Sequence, residues 1–235
     1  MCAYPRGVLG VFFDNFVQGI GMKKQWWMVA ALAAAGSAAQ AHELYAGVGL
    51  PGLVELGYAF PMARNWGVRA EFAGGLKADK NGEREGVNYL GEIRSNRVGL
   101  LADWFPFESG FRLVGGLTVN DIKANLRGVG AGTATINSKT VDMTGETFNV
   151  DVRFPSVTPY VGIGYGHHLR DTKGWGFHAD LGVMVGSFNT KVETTLVDSG
   201  KVDQADIDAE TQDLRDSLNS HSILPSLSLG VTYTY

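Results

Sequence analysis

Cysteine is nearly absent from this sequence, and charged residues are scarce. The chain of 235 residues contains one cysteine, and only 19% of its residues are charged, against roughly 25% in soluble domains. One cysteine excludes an intramolecular disulfide framework and a zinc site built from several thiolates. The formal net charge of -4 provides no basic surface, so nucleic acid is not an expected partner.

Long apolar runs are also missing, and no segment reaches the roughly 20 residues with which a helix crosses a bilayer. The best candidate extends from Trp26 to Ala35. It follows the positive pair Lys23-Lys24 and precedes Ala39-Gln40-Ala41, the small-residue pattern of a cleavage site. These features predict a cleaved signal peptide over residues 22–41. An uncleaved anchor is the alternative, but the run is short for that role.

The predicted signal peptide divides the chain into three parts. Residues 1–21 precede its first methionine and are interpreted as an upstream extension from a misplaced start codon. Cys2 lies in that extension, so we expect a mature protein of residues 42–235 without a thiol. Disulfides and a cysteine nucleophile are then excluded.

The predicted mature chain is rich in segments that alternate apolar and other side chains. The last segment shows the pattern most clearly, because serine, glycine and threonine separate its apolar residues. A strict period of two predicts a half-buried β-strand. The apolar face of this segment carries Ile223, Leu227, Leu229, Val231, Tyr233 and Tyr235. Similar alternation occurs in residues 66–76, 97–104, 111–121, 157–166 and 174–187.

Aromatic residues are concentrated at those strand ends that short turns connect. In an up-and-down sheet these ends lie at one level, where they would form the aromatic girdle of a membrane barrel. Short turns face the periplasm in such barrels, so this girdle is predicted to be periplasmic. Its members are Tyr58, Phe60, Trp66, Trp104, Phe111, Trp175, Phe177, Tyr233 and Tyr235.

Parity then fixes the strand count. A chain that enters and leaves the ring on the periplasmic side has an even number of strands. Residues 44–60 must supply two strands, separated by a turn at Leu50-Pro51-Gly52, which gives eight in total. The predicted fold is all-β, an eight-stranded antiparallel up-and-down transmembrane β-barrel. Longer loops are expected at residues 77–88, 126–156 and 189–222, with a short helix over 203–220 in the last extracellular loop.

Seven charged residues lie on the predicted interior face. The interior of an eight-stranded barrel is just filled by side chains, so opposite charges there are expected to pair with one another. A polar pathway for ions or small solutes is the alternative interpretation. The seven residues are Glu55, Arg69, Glu71, Arg97, Asp103, Arg112 and Asp180.

No catalytic, cofactor or metal site is predicted. His178 and Asp180 share the interior face, but no serine is evidently placed as their nucleophile. The pair His167-His168 falls in a predicted turn, where a surface position is the expectation. Neither a glycine-rich phosphate loop nor a zinc-protease motif is present.

The mature segment resembles the small eight-stranded outer-membrane proteins of the OmpA/OmpX/OmpW-like group. The resemblance rests on Leu-Ala-Asp-Trp-Phe-Pro-Phe at 101–107, Pro-Tyr-Val-Gly-Ile-Gly-Tyr-Gly at 159–166 and Leu-Gly-Val-Thr-Tyr-Thr-Tyr at 229–235. It implies a Gram-negative outer-membrane location, contact with membrane lipids and lipopolysaccharide, and recognition of the last strand by the barrel-assembly machinery. Tyr235 departs from the Phe or Trp that usually ends such chains.

Three functions are compatible with these features. The first is a non-enzymatic outer-membrane protein that is structural or interacts through its extracellular loops. The second is an OmpW-like conduit for small hydrophobic molecules. The third is a lipid A-modifying enzyme. This function is disfavoured because the His-x-Ser pair of such deacylases is missing; in Ser220-His221-Ser222 the histidine and the serines are directly adjacent.

Overall fold

A computed structural model describes residues 42–84, 87–107, 109–137, 139–167, 173–218 and 222–235. The predicted upstream extension and signal peptide lie outside the described residues. The described part contains twelve strands and one helix, here α1. In order they are β1 Glu43–Leu50, β2 Val54–Ala63, β3 Trp66–Arg84, β4 Val87–Trp104, β5 Phe111–Gly130, β6 Thr133–Ile136, β7 Lys139–Asp142, β8 Thr147–Arg153, β9 Val157–Tyr165, β10 Gly174–Val185, β11 Asn189–Thr194, α1 Gln204–Leu218 and β12 Ile223–Thr234.

Eight strands form a closed antiparallel ring. The order around the ring is β1, β2, β3, β4, β5, β9, β10 and β12, and β12 pairs again with β1. Every ring strand therefore has a partner on both sides, which leaves no unpaired edge. Because chain neighbours are also ring neighbours apart from the inserted β6–β8 and β11, the topology is the predicted up-and-down arrangement.

The two faces of the ring differ in polarity because side chains alternate along each strand. The outer face exposes aliphatic side chains such as Leu100, Leu117 and Leu229, and these are more than half exposed. The inner face buries charged and small polar side chains such as Arg112 and Thr118, which are fully buried. This distribution is the reverse of a soluble sandwich, whose apolar face forms the core.

The strands β3, β4 and β5 continue well beyond the predicted loop boundaries. Residues 77–84 pair with 87–94, so the predicted loop at 77–88 is wrong and a long hairpin stands there instead. In the same way β5 extends to Gly130, where it pairs with β4 and with β8. Apolar alternation stops near Leu76 because both faces of the extended hairpin are solvated. The backbone pairing therefore continues without the alternating pattern by which a strand is predicted.

The segments inserted between ring strands fold against this hairpin. We call the extended ends of β3 to β5, together with β6, β7, β8, β11 and α1, the outer extension. β8 pairs with β5 and β11, whereas β6 and β7 form a separate hairpin. The predicted helix in the last loop is confirmed as α1, and residues 219–220 of the predicted range lie outside the described residues. Within the described residues, no helix has the length and apolar character needed to cross a membrane.

Candidate functional site

The charged side chains on the inner face form one group, here called the interior cluster. The seven residues predicted for the interior face are all buried, and none is more than 5% exposed. They reach the interior from β2, β3, β4, β5 and β10. Because ionised groups removed from water are destabilising unless paired, their mutual contacts decide whether this arrangement can exist. With the addition of Glu43 from β1, the cluster comprises Glu43, Glu55, Arg69, Glu71, Arg97, Asp103, Arg112 and Asp180.

Arg112 and Asp180 form a close ion pair in which both carboxylate oxygens take part. Nη2 of Arg112 lies 2.6 Å from both carboxylate oxygens of Asp180. Nη1 of Arg112 donates to the backbone carbonyl of Gly166 at 2.8 Å. The pair connects β5 to β10 across β9, which lies between these strands in the ring. Charge-assisted bonds of this kind are roughly twice as strong as bonds between neutral groups.

Arg69 extends this pair to a square of alternating charges. Its Nε lies 2.6 Å from Oδ2 of Asp103, and its Nη2 lies 3.3 Å from Oδ1 of Asp180. Asp103 in turn lies 3.5 Å from Nε of Arg112. Each guanidinium therefore contacts both carboxylates, which offsets the loss of hydration for all four groups.

Arg97 organises a second group beside the square. Its Nη2 donates to Glu71 at 2.5 Å, and its Nη1 donates to the hydroxyl of Ser226 at 3.0 Å. The guanidinium also lies over the ring of Tyr160, 5.6 Å from the ring centroid. Glu71 accepts a further bond from the hydroxyl of Tyr45. These contacts run across the interior from β4 to β12.

A pair of stacked histidines lies next to the charged square. The rings of His167 and His178 are 4.9 Å apart between centroids, with an angle of 24° between their planes. Nδ1 of His167 is hydrogen-bonded to Oε1 of Glu43. Nε2 of His178 lies 3.8 Å from Oε2 of Glu55. Both imidazoles are buried, so the described residues bring two aromatic bases into the charged interior.

The surface position predicted for His167 is wrong. The chain leaves β9 at Gly166, which has a φ of 94°, a conformation favoured by glycine. His167 also has a positive φ, and its side chain is buried in the interior of the ring. The sequence predicted a turn after the strand and therefore an exposed side chain, but the side chain of His167 is 2% exposed. His168 lies outside the described residues.

Three further buried residues of the interior, Glu43, Tyr45 and Tyr160, were not among the predicted site residues. Glu43 and Tyr45 alternate with Leu44 and Ala46, so their face was readable from the pattern. Tyr45 is buried with its ring edge against both histidines, at 4.6 and 5.2 Å between centroids. A tyrosine near the aromatic strand ends, such as Tyr45, is easily taken for a membrane-facing residue when only its residue type is considered.

Beside the charged groups the interior holds small polar side chains and one apolar cluster. Leu101, Val114 and Met184 pack with Phe154 and Tyr160 in a buried cluster. Tyr160 therefore lies between the apolar part and the guanidinium of Arg97. The combination of paired charges and packed apolar side chains agrees with the small interior volume of an eight-stranded ring.

The nine aromatic residues predicted for the girdle all lie at or next to the strand ends joined by the short turns. Trp66 and Trp104 stack with centroids 6.2 Å apart across β3 and β4. Trp175 contacts Tyr233 across β10 and β12, with a centroid distance of 5.1 Å. Trp175 and Phe177 are 78% and 80% exposed, so their rings point away from the interior. The same end of the ring holds Tyr58, Phe60, Phe111 and Tyr235.

The outer extension has its own polar contacts around a small apolar cluster that includes Val141, Leu196 and Ile207. Asp206 at the start of α1 accepts hydrogen bonds from Lys139 and Asn137, which lower the pKa of its carboxyl group. Hydrogen bonds from Thr195 and Lys201 lower the pKa of Glu146 in the same way. While ionised, Asp206 therefore fastens α1 to the β6–β7 hairpin, and Glu146 fastens the turn before β8 to the segment between β11 and α1.

Solved structures of other proteins resemble this fold. The chain is similar to a crystal structure of Acinetobacter baumannii CarO, with 18% identity and a TM-score of 0.55, covering 83% of this chain and 97% of that one. It is also similar to A. baumannii CarO2, with 16% identity and a TM-score of 0.58, covering 83% and 98% of the two chains. A major outer membrane protein from Thermus thermophilus matches with 15% identity and a TM-score of 0.42 over 84% and 100% of the chains.

These similarities concern the fold. No protein-family model and no curated protein sequence matches the chain. The similarity extends over nearly the whole length of the two CarO chains. Together with the closed ring, it confirms the predicted all-β, eight-stranded antiparallel fold class. The narrower OmpA/OmpX/OmpW-like resemblance stays a prediction.

Proposed function

We propose that this chain is a non-enzymatic outer-membrane protein whose interior is closed to solutes and whose outer extension contacts the environment. The observation that carries the proposal is the burial of Arg69 and Arg112 inside the ring, at 1% and 0% exposure. A side chain that water cannot reach does not line an open aqueous path. The ring then acts as a membrane-embedded support for the outer extension.

The outward face supports a membrane location. Soluble monomers rarely expose a continuous apolar surface of this extent. Here Val98, Leu100, Leu117 and Val161 expose more than half of their side-chain surface on adjoining strands. Exposed aromatic rings border this band at the end with short turns, as in membrane barrels. Export through a cleaved signal peptide and contact with lipopolysaccharide belong to the same proposal.

The alternative of a conduit for hydrophobic molecules receives less support. Lateral release of a solute requires a gap between two strands. Every pair of neighbouring ring strands is paired over six or more residues, and the shortest runs are β1 with β2 and β9 with β10. An enzyme is also not supported, because His178 has no hydrogen bond to a serine among the described residues.

Single-channel recording in planar bilayers tests the closed interior. We expect the refolded protein to insert without conductance steps, because the arginine–carboxylate square fills the interior. The double variant Arg69→Ala/Arg112→Ala removes both guanidinium groups of the square and should conduct. Arg94→Ala is the matched control, since Arg94 is exposed on the outer extension. Steady conductance by the unmodified protein would contradict the proposal.

A further inference from the structure

His167, His178 and Asp180 bring three potential metal ligands together in the interior. One ligand atom from each residue lies within 4.8 Å of those of the other two, and all three residues are buried. Two imidazoles and a carboxylate match the ligand preferences of zinc and similar transition metals. Magnesium and calcium prefer sites made of oxygen ligands alone.

The environment of His178 points independently to a missing ligand. Its side chain is fully buried, yet neither ring nitrogen has a hydrogen-bond partner among the described residues. The nearest acidic oxygen, Oε2 of Glu55, is 3.8 Å from Nε2, beyond hydrogen-bond distance. A buried imidazole without partners is unfavourable, and a metal ion on one nitrogen would relieve this.

His167 is held in the orientation that a metal ligand requires. Its Nδ1 is bonded to Glu43, so coordination would use Nε2, on the opposite side of the ring. A carboxylate behind the imidazole is the usual support of a metal-bound histidine, because it fixes the tautomer and the ring angle. Tyr45 packs its ring edge against both imidazoles and keeps them in place.

The charge of the ring interior is also unbalanced by two. Among the described residues, the buried ring carboxylates are Glu43, Glu55, Glu71, Asp103 and Asp180, whereas the buried cations are Arg69, Arg97 and Arg112. Five negative and three positive groups leave two uncompensated negative charges when the histidines are neutral. One divalent cation would neutralise them, as buried charges require.

We propose that the ring interior binds one divalent transition-metal ion of the zinc class. Nε2 of His167, one ring nitrogen of His178 and a carboxylate oxygen of Asp180 are its ligands. Asp180 also accepts from Arg112 on both oxygens and from Arg69 on Oδ1, but a carboxylate has about four lone-pair positions, so one remains for a metal. The ion stabilises the ring by linking His167, in the segment that follows β9, to His178 and Asp180 on β10.

Metal analysis of the refolded full chain without a histidine tag tests this site. After treatment with a chelator and dialysis against zinc chloride, we expect about one equivalent of zinc per chain, as for a single structural site. Zinc should also raise the thermal unfolding midpoint. The variant His178→Phe keeps an aromatic ring but removes the ligand, and it should retain no zinc. His42→Phe is the matched control and should bind like the unmodified protein.

Cobalt gives a readout that needs no variant. Cobalt bound by two nitrogens and an oxygen at low coordination number should give visible absorption bands, and added zinc should abolish them. If the unmodified protein retains no metal and shows no cobalt bands, the two imidazoles must balance the charge by other means and the proposal is overturned. Equal zinc content in His178→Phe would also overturn it. Neither result affects the proposal of a closed interior, which conductance decides.

Discussion

Gly164 lies on β9 at a point where interior side chains leave no room for a larger residue. A Cβ atom there would lie 2.6 Å from Oδ1 of Asp180 and 2.7 Å from Cζ of Arg112. The glycine therefore leaves room for the ion pair of Arg112 and Asp180. Large charged side chains can therefore fit in the interior only where the facing residues on the inner face are small.

The substitution Gly164→Ala should weaken the ring by forcing Arg112 and Asp180 apart. Overpacking of a filled interior costs about 1–3 kcal/mol. Gly115→Ala is the matched control, because a Cβ atom at Gly115 would meet nothing within 4 Å, and its effect should stay within about 0.5 kcal/mol. Urea unfolding in detergent or lipid measures both. Equal stability of the two variants would show that the pair does not depend on the space at Gly164.

At the scale of elements, α1 is fastened to the β6–β7 hairpin through Asp206. Nζ of Lys139 lies 2.6 Å from one carboxylate oxygen of Asp206, and Nδ2 of Asn137 lies 2.9 Å from the other. Arg215, near the other end of the helix, donates to the backbone carbonyl of Thr190 on β11. The helix is therefore held at both ends by polar contacts, with Ile207 buried between them.

Acid should release α1 from the hairpin. The hydrogen bonds lower the pKa of Asp206, so the ionised carboxylate stabilises the docked helix above the ordinary aspartate pKa of about 3.9. This contribution is lost as the pH falls through the lower pKa of the folded protein. Spin labels at Thr133 and Gln212, both exposed, should move apart under these conditions in electron paramagnetic resonance distance measurements.

Asp206→Asn should produce the same separation at neutral pH, since it removes the charge. Asp208→Asn is the control, because Asp208 accepts its hydrogen bond from Gln204 within the helix and not from the hairpin. If both variants release the helix equally, the total negative charge of α1, and not the contact between Asp206 and Lys139, holds the helix on the hairpin.

The elements show where sequence patterns succeed and where they fail. β12 and β10 were predictable because one face meets an apolar environment and the other a polar one, which imposes a period of two. The two faces of the hairpin of residues 77–94 do not differ in this way, so its sequence shows no alternation of apolar and polar residues. His167 escaped prediction for another reason, since the chain leaves β9 through two successive positive φ values, at Gly166 and His167, that the apolar pattern does not indicate. Contacts between distant strands, such as Arg69 with Asp180, follow from ring closure and not from local sequence.

For the whole molecule, the apolar band and the outer extension should tolerate charge differently. Leu100 and Leu90 both lie on β4 and both are exposed, at 63% and 43%. Leu100 is in the band, whereas Leu90 pairs with Arg127 in the outer extension. Leu100→Arg should cost about 2–4 kcal/mol in a bilayer and Leu90→Arg about 0–1 kcal/mol.

Reversible unfolding from lipid vesicles gives both free energies. A similar small loss for the two variants would show that the band around Leu100 does not face lipid, and the membrane location would then have to be abandoned.

Ring closure has a consequence for the order in which this protein assembles. Arg69 and Asp180 are separated by 111 positions, and Arg112 and Asp180 by 68. The β3–β4 hairpin can pair Arg69 with Asp103 and Arg97 with Glu71 on its own. The contacts of Arg69 and Arg112 with Asp180, however, form only after β10 has met β3 and β5 across the ring. Arg112 would otherwise enter hydrocarbon without its main partner, at high cost, so we expect these strands to meet before or while they enter the membrane.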